Sequence, residues 1–186
     1  NDIKRLIAYS SVSHMGFVTL GIFTLNQAGI EGGILQMINH GIITGGLFLC
    51  IGMIYERTHT RMIEDYGGLT KTVPVYMTFF TIFTLAAIGF PGLNAFVGEF
   101  LIISGAFKAN MIIAALSIIG IVLGTSYMVW LYYRVGFNEI NSKTKPQPVD
   151  LEVREIATLM PLVFLILLIG LQPEILLSYM HVSVEH

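Results

Sequence analysis

Apolar stretches of 18 residues or more recur along this chain, and short polar connections separate them. Such stretches match the length of helix that crosses a hydrocarbon core of about 30 Å. A segment in lipid must satisfy every backbone polar group internally, so helices are the economical solution. The fold class expected is therefore all-α, a polytopic transmembrane helical bundle. Composition agrees: 54% of residues are hydrophobic and 12% charged, with mean hydropathy +0.75. A soluble domain carries roughly twice that charged fraction. The formal net charge of -2 points to neither nucleic acid nor an acidic ligand. The single cysteine, Cys50, lies in an apolar run and reads as a small hydrophobe.

Five spans are expected, at about 6–25, 32–55, 73–107, 111–133 and 156–171. A segment from Glu174 to Met180 reads as a short interfacial helix or turn. Lys4, Arg5, Arg57, Arg61, Lys71, Arg134, Lys143, Lys145 and Arg154 would share one side, leaving only Lys108 on the other. The positive-inside rule then places the Lys4 end in the cytoplasm (or matrix or stroma) and the His181 end outside. Residues 138–150, with Pro146 and Pro148, read as an exposed cytoplasmic connection. The chain opens with Asn1 rather than Met and enters a span at once, so it reads as part of a longer protein.

The third stretch is too long for one straight crossing. Its interruption is Gly89-Phe90-Pro91-Gly92. Proline removes a backbone donor and glycine admits conformations other residues avoid. Gly89, Pro91 and Gly92 are thus the expected hinge of a broken helix. Such breaks survive in membranes only where they face protein or water, and they recur at ion sites.

Glu99 lies shortly after the break and is the only charge between Val73 and Phe107. A carboxylate at membrane depth is costly unless paired, hydrated or protonated. The positive end of its half-helix favours the ionised form and burial favours the protonated one, an opposition suited to proton exchange. The plainer alternative is a carboxylate paired with a cation from another helix. In the second span Gln36, His40 and Thr44 share a face, with Asn39 alongside. His40 is a candidate proton relay, or a structural histidine bonded to a carbonyl. His14 sits in the hydroxyl-rich run Tyr9-Ser10-Ser11-Val12-Ser13-His14. That run suits interhelical packing, with proton relay through His14 as the alternative. No histidine cluster has zinc spacing, and no phosphate-binding loop is present.

The stretch from Asp2 to Gly16, DIKRLIAYSSVSHMG, resembles a signature of the antiporter-like subunits of respiratory complex I. Tyr55-Glu56-Arg57-Thr58-His59-Thr60-Arg61 and Phe90-Pro91-Gly92 followed by Phe96-Val97-Gly98-Glu99-Phe100 narrow the resemblance to the subunit M family of proton-pumping NADH:quinone oxidoreductase. The resemblance implies a subunit of two inverted five-helix repeats, each with a broken helix. This chain would hold most of the second repeat and the last helix. Glu99 would match the family's broken-helix carboxylate, His40 the central-axis histidine of the preceding helix, and His14 the histidine of the helix before that. The central glutamate and lysines of the first half are not in this chain. The resemblance further implies an integral protein of the bacterial inner membrane, with lipid and other membrane-arm subunits as partners, sister antiporter-like subunits on either side among them. It implies no cofactor here, with NADH, FMN, iron–sulfur clusters and quinone elsewhere in the complex. Two other readings remain: a subunit of a multisubunit cation/proton antiporter or membrane-bound hydrogenase, and a non-transporting membrane scaffold whose polar residues only bind helices together.

Overall fold

The structure, a computed structural model, describes residues 2–139 and 148–184. Lys143, Lys145, Pro146 and His186 lie outside the described residues. The elements are α1 (Ile3–Phe23), α2 (Gln27–Thr58), α3 (Leu69–Thr72), α4 (Pro74–Ala87), α5 (Asn94–Ala109), α6 (Met111–Gly136), α7 (Val153–Leu171) and α8 (Glu174–Val184), with a single 3-10 turn at Ile63–Asp65. Among the described residues the sole β pairing is one isolated bridge, Asp2 with Met62. Helices α1, α2, α6 and α7 are long and apolar enough to cross a membrane. α4 and α5, of 14 and 16 residues, are individually shorter and flank the interruption.

Local chemistry sets the helix ends. Asp2 and Asn26 cap α1 and α2 by accepting from the backbone amides of Arg5 and Gly29. Asn110 caps α6, and Glu152 with Glu155 forms a capping box on α7. α2 is 32 residues long and extends past the apolar window at both ends. Asn26 starts it outside that window, and His59, in the left-handed region at φ 53°, closes it with its amide bonded to the Tyr55 carbonyl.

The break has a different anatomy from a proline kink. Gly89, at φ 69°, ends α4 in a Schellman motif: its amide bonds the Ala86 carbonyl, and the Phe90 amide reaches back to Leu85. Phe90-Pro91-Gly92-Leu93 then forms a tight turn closed by the Leu93 amide on the Phe90 carbonyl at 3.0 Å. Proline second and glycine third at φ 91° match a type II turn. Pro91 therefore lies between the half-helices rather than inside one, and Gly89 stops the first of them.

α2 is the centre of the bundle and packs most extensively on α5 and α1. Its contact with α5 is a backbone-to-backbone seam. A Cβ on Gly105 would meet the Gly29 backbone at 2.5 Å, and one on Gly32 would meet the Ile102 amide at 2.7 Å. Small residues permit that approach, which brings the Glu99 face of α5 onto α2. The main core, around Phe80, Phe83, Leu47 and Met128, fills the adjoining space among α2, α4 and α6.

One end of the bundle gathers the starts of α1, α4 and α7 with the ends of α2 and α6. The Ile3 amide bonds the Arg61 carbonyl, and Thr70 bonds the Gly136 carbonyl. Arg57 grips Glu155 with both terminal nitrogens, at 2.8 and 2.6 Å, and its Nε donates to the Val149 carbonyl. Asp150 accepts from the amides of Val75 and Tyr76 and so caps α4 from 74 and 75 residues away. The positions of Lys4, Arg61, Lys71, Arg134 and Arg154 belong to this end as well. Arg57→Lys should retain the charge and lose the fork that holds Glu155. A loss of about 1–3 kcal/mol, seen as a lower thermal midpoint of the intact assembly, is the expected outcome. An unchanged midpoint would contradict this role for the pair.

α8 is the short helix expected after Gln172-Pro173, and it docks against α2. His181 meets the buried carboxylate of Glu31 at 2.6 Å, and Leu177 packs near Leu35.

Candidate proton-transfer site

Glu99 is the sixth residue of α5 and is 7% exposed. The Gly98–Gly105 face holds it against α2, and the Gly89 turn closes over it from the other side. One carboxylate oxygen, Oε1, lies 3.7 Å from His14 Nδ1 and 3.5 Å from Gln36 Nε2. The other, Oε2, lies against Gly89 so closely that a Cβ there would overlap it. Among the described residues the ionisable side chain beside the Glu99 carboxylate is His14 of α1.

His14 and His40 come together, with ring centroids 5.7 Å apart. His40 in turn meets the Thr44 hydroxyl one turn further along α2, at 3.2 Å from Nδ1. The three titratable candidates therefore form one row, Glu99–His14–His40, continued by Thr44. His14 is the middle member and links the other two. Gln36 leaves the His40–Thr44 pair to serve Glu99, and Asn39 donates to the Asn94 carbonyl at 2.8 Å, fixing the start of α5.

Two small spaces adjoin the row. One, of about 10 Å³, is bounded by Ser10, His14, Gln36, His40 and Thr44. The other, of about 20 Å³, is bounded by Ser13, His14, Glu99, Thr125 and Tyr127. Each is on the scale of a single water molecule. His14 lines both, whereas His40 touches only the first and Glu99 only the second. Buried side-chain atoms without a protein partner cluster near the break: Asn39 Oδ1, both polar atoms of Asn94, and Thr84 Oγ1. Polar groups buried this way are ordinarily satisfied by water.

Of the residues expected from sequence, Glu99, His40 and His14 converge. Gly89 touches Glu99 directly, whereas nothing lies within 4 Å of a Cβ built on Gly92. Pro91 shapes the turn between them. Sequence reading missed Asn94, Glu31 and Tyr127. Asn94 and Glu31 carried a usable signal, a polar group beside or within an apolar run. Tyr127 did not, because tyrosine is common in membrane helices. Among the described residues no group of histidine, cysteine and carboxylate side chains is arranged to hold a metal.

The apolar helices, with a broken pair among them, are those of an all-helical membrane bundle, and its family is shown by likeness to known proteins. The family model described as NADH:quinone oxidoreductase/Mrp antiporter, TM matches residues 1–124, and the chain belongs to that family. It is 47% identical over 185 residues to NADH-quinone oxidoreductase subunit M of Rhodobacter capsulatus, spanning 100% of this chain and 36% of that protein. It is 45% identical to NADH-ubiquinone oxidoreductase chain 4 of Marchantia polymorpha, spanning 100% and 37%. The chain thus covers little more than a third of these relatives. Among solved structures, a chain of respiratory complex I from Thermus thermophilus with bound NADH superposes with TM-score 0.93 at 34% identity, over 100% of this chain and 39% of that one. A chain of the Mrp complex from Dietzia superposes with TM-score 0.85 at 21% identity, over 96% and 41%, a likeness of fold.

Proposed function

We propose that this chain is the C-terminal part of subunit M of a proton-pumping NADH:quinone oxidoreductase, and that it carries protons along the row Thr44–His40–His14–Glu99. The observation that carries this reading is the position of His14, in contact with both His40 and Glu99. A packing histidine needs neither neighbour. The substantially higher identity to subunit M and chain 4 relatives than to the Mrp chain favours complex I as its setting.

Protons enter the row at its Thr44–His40 end, pass to Glu99 through His14 and the small spaces beside it, and leave towards the outside. The Lys4 end faces the cytoplasm of a bacterial inner membrane, as the gathering of basic residues at that end supports. Sister antiporter-like subunits flank the complete protein. NADH, FMN, iron–sulfur clusters and quinone act elsewhere in the complex, and this chain supplies proton-exchanging side chains only.

His14→Leu tests the row at its middle link. In the complete complex, reconstituted into vesicles, proton translocation should fall by roughly a hundredfold or more, the size of effect that a lost acid–base group produces. Assembly should persist, because leucine fills a similar volume. Full translocation in an assembled His14→Leu complex would refute the row.

A further inference from the structure

Two side-chain amides of α2 lie between the helix break and Glu99, and the chain fixes which way each of them points. Asn94 opens α5 just after the turn, and its backbone carbonyl can only accept. Asn39 must therefore offer its NH2 end there, and Nδ2 does so at 2.8 Å. The same Nδ2 reaches Gln36 Oε1 at 3.5 Å, three residues back on one face of α2. With its oxygen engaged by Asn39, Gln36 presents its NH2 end to Glu99, Nε2 lying 3.5 Å from Oε1. That carboxylate oxygen is also the one 3.7 Å from His14 Nδ1. Gln36 and Asn39 are 1% and 0% exposed, so bulk water does not compete for these groups. Gly98 leaves the room for the pair: a Cβ there would overlap Gln36 Oε1 and crowd Asn39 Nδ2.

We propose that Gln36 is the positioning residue for Glu99: its amide, oriented by Asn39 from the Asn94 carbonyl, holds Oε1 as the oxygen that exchanges the proton with His14. The inference rests on the proton-translocation reading above and adds a residue to it. A carboxylate oxygen accepts more than one hydrogen bond. Gln36 occupies one acceptor direction of Oε1 from α2, and another stays open to His14 on α1. Without the amide the carboxyl turns about its last bond, a broad and roughly two-fold torsion, and either oxygen can meet the ring. Holding one oxygen in the reactive place is how a positioning group acts on rate. Gln36 itself exchanges no proton, because a carboxamide does not titrate near neutral pH. The break thus meets the carboxyl at both oxygens. Gly89 bounds Oε2 directly, and Asn94 reaches Oε1 through Asn39 and Gln36.

Gln36→Met tests the role in the complete complex. Methionine keeps the length and removes the amide, and Asn39 keeps its bond to Asn94. Proton translocation per NADH oxidised, measured in vesicles, should fall by roughly ten- to hundredfold, the scale of one hydrogen bond lost from a charged group. The second readout is the infrared band of the protonated Glu99 carboxyl, identified by its loss in Glu99→Gln. In Gln36→Met that band should move to higher wavenumber, as a carboxyl band does when a hydrogen-bond donor is taken away. A residue that only packs would leave the band where it is. Gly98→Ala approaches the same contact from α5: it deletes no polar group, displaces the end of Gln36, and should shift the band in the same direction. It decides the matter if Gln36→Met does not assemble. Native translocation in assembled Gln36→Met, or a band unmoved in either variant, would overturn the positioning role. Glu99→Gln runs alongside. If it translocates normally, the underlying reading fails and this one with it. If it is blocked while Gln36→Met pumps as the native complex does, the positioning role alone fails.

Discussion

Glu99→Gln should leave the complex assembled and reduce proton translocation by roughly tenfold or more, a change of about 1.4 kcal/mol or above in the governing barrier. The size follows from what the substitution keeps. Glutamine has the same length and volume, and its amide still fits against Gly89, Gln36 and His14. The buried site loses no packing. It loses only the capacity to take up and release a proton. If Glu99 were a scaffold group, the outcome would be reversed, with assembly weakened and the pumping of any assembled complex intact. Proton uptake and NADH-driven quinone reduction, recorded on the same vesicles after the subunit content is checked, tell the two apart.

Gly89→Val should have the largest effect on the fold. Gly89 holds φ 69°, where a β-branched side chain is strongly disfavoured, at a cost of about 1–3 kcal/mol. The new side chain would also occupy the place of Glu99 Oε2. Either α4 extends through the break or Glu99 is expelled from its site. Both outcomes end proton transfer, and the assembled complex should be scarce. Gly92→Ala is the informative companion. Gly92 also has positive φ, 91°, but nothing lies within 4 Å of its built Cβ. It should show the backbone strain alone, as lower thermal stability with pumping largely kept. Equal loss of pumping in both variants would contradict the direct contact between Gly89 and the carboxylate.

The contrast between these glycines shows what sequence carries and what it does not. The pair around Pro91 announces a break, because proline and glycine act on the local backbone wherever they stand. Which glycine touches the carboxylate depends on a turn ten residues before it folding back over α5, and no local pattern encodes that. The same division runs through the bundle. Apolar length picked out the long helices α1, α2, α6 and α7 and the broken stretch of α4 and α5, and Glu99, His40 and His14 stood out as polar groups inside them. Their order in space, with His14 in the middle, required the packing of α1 against both α2 and α5. α2 runs beyond its apolar window because Asn26 and His59 set its ends, and capping residues are polar. Contacts between distant residues were the least legible. Arg57 with Glu155, Asp150 with the start of α4, and His181 with Glu31 each join groups whose separation in sequence has no periodicity to betray it. Tyr127 belongs with these, since its place beside Glu99 depends on how α6 packs against α5.

The central claim is that the Glu99 carboxyl changes its protonation during turnover. Infrared difference spectra of the complete complex, recorded at rest and during NADH oxidation, observe that carboxyl directly. A protonated-carboxyl band should rise or fall on turnover, shift in heavy water, and vanish in Glu99→Gln. A difference spectrum identical in the native and Glu99→Gln complexes would contradict the account.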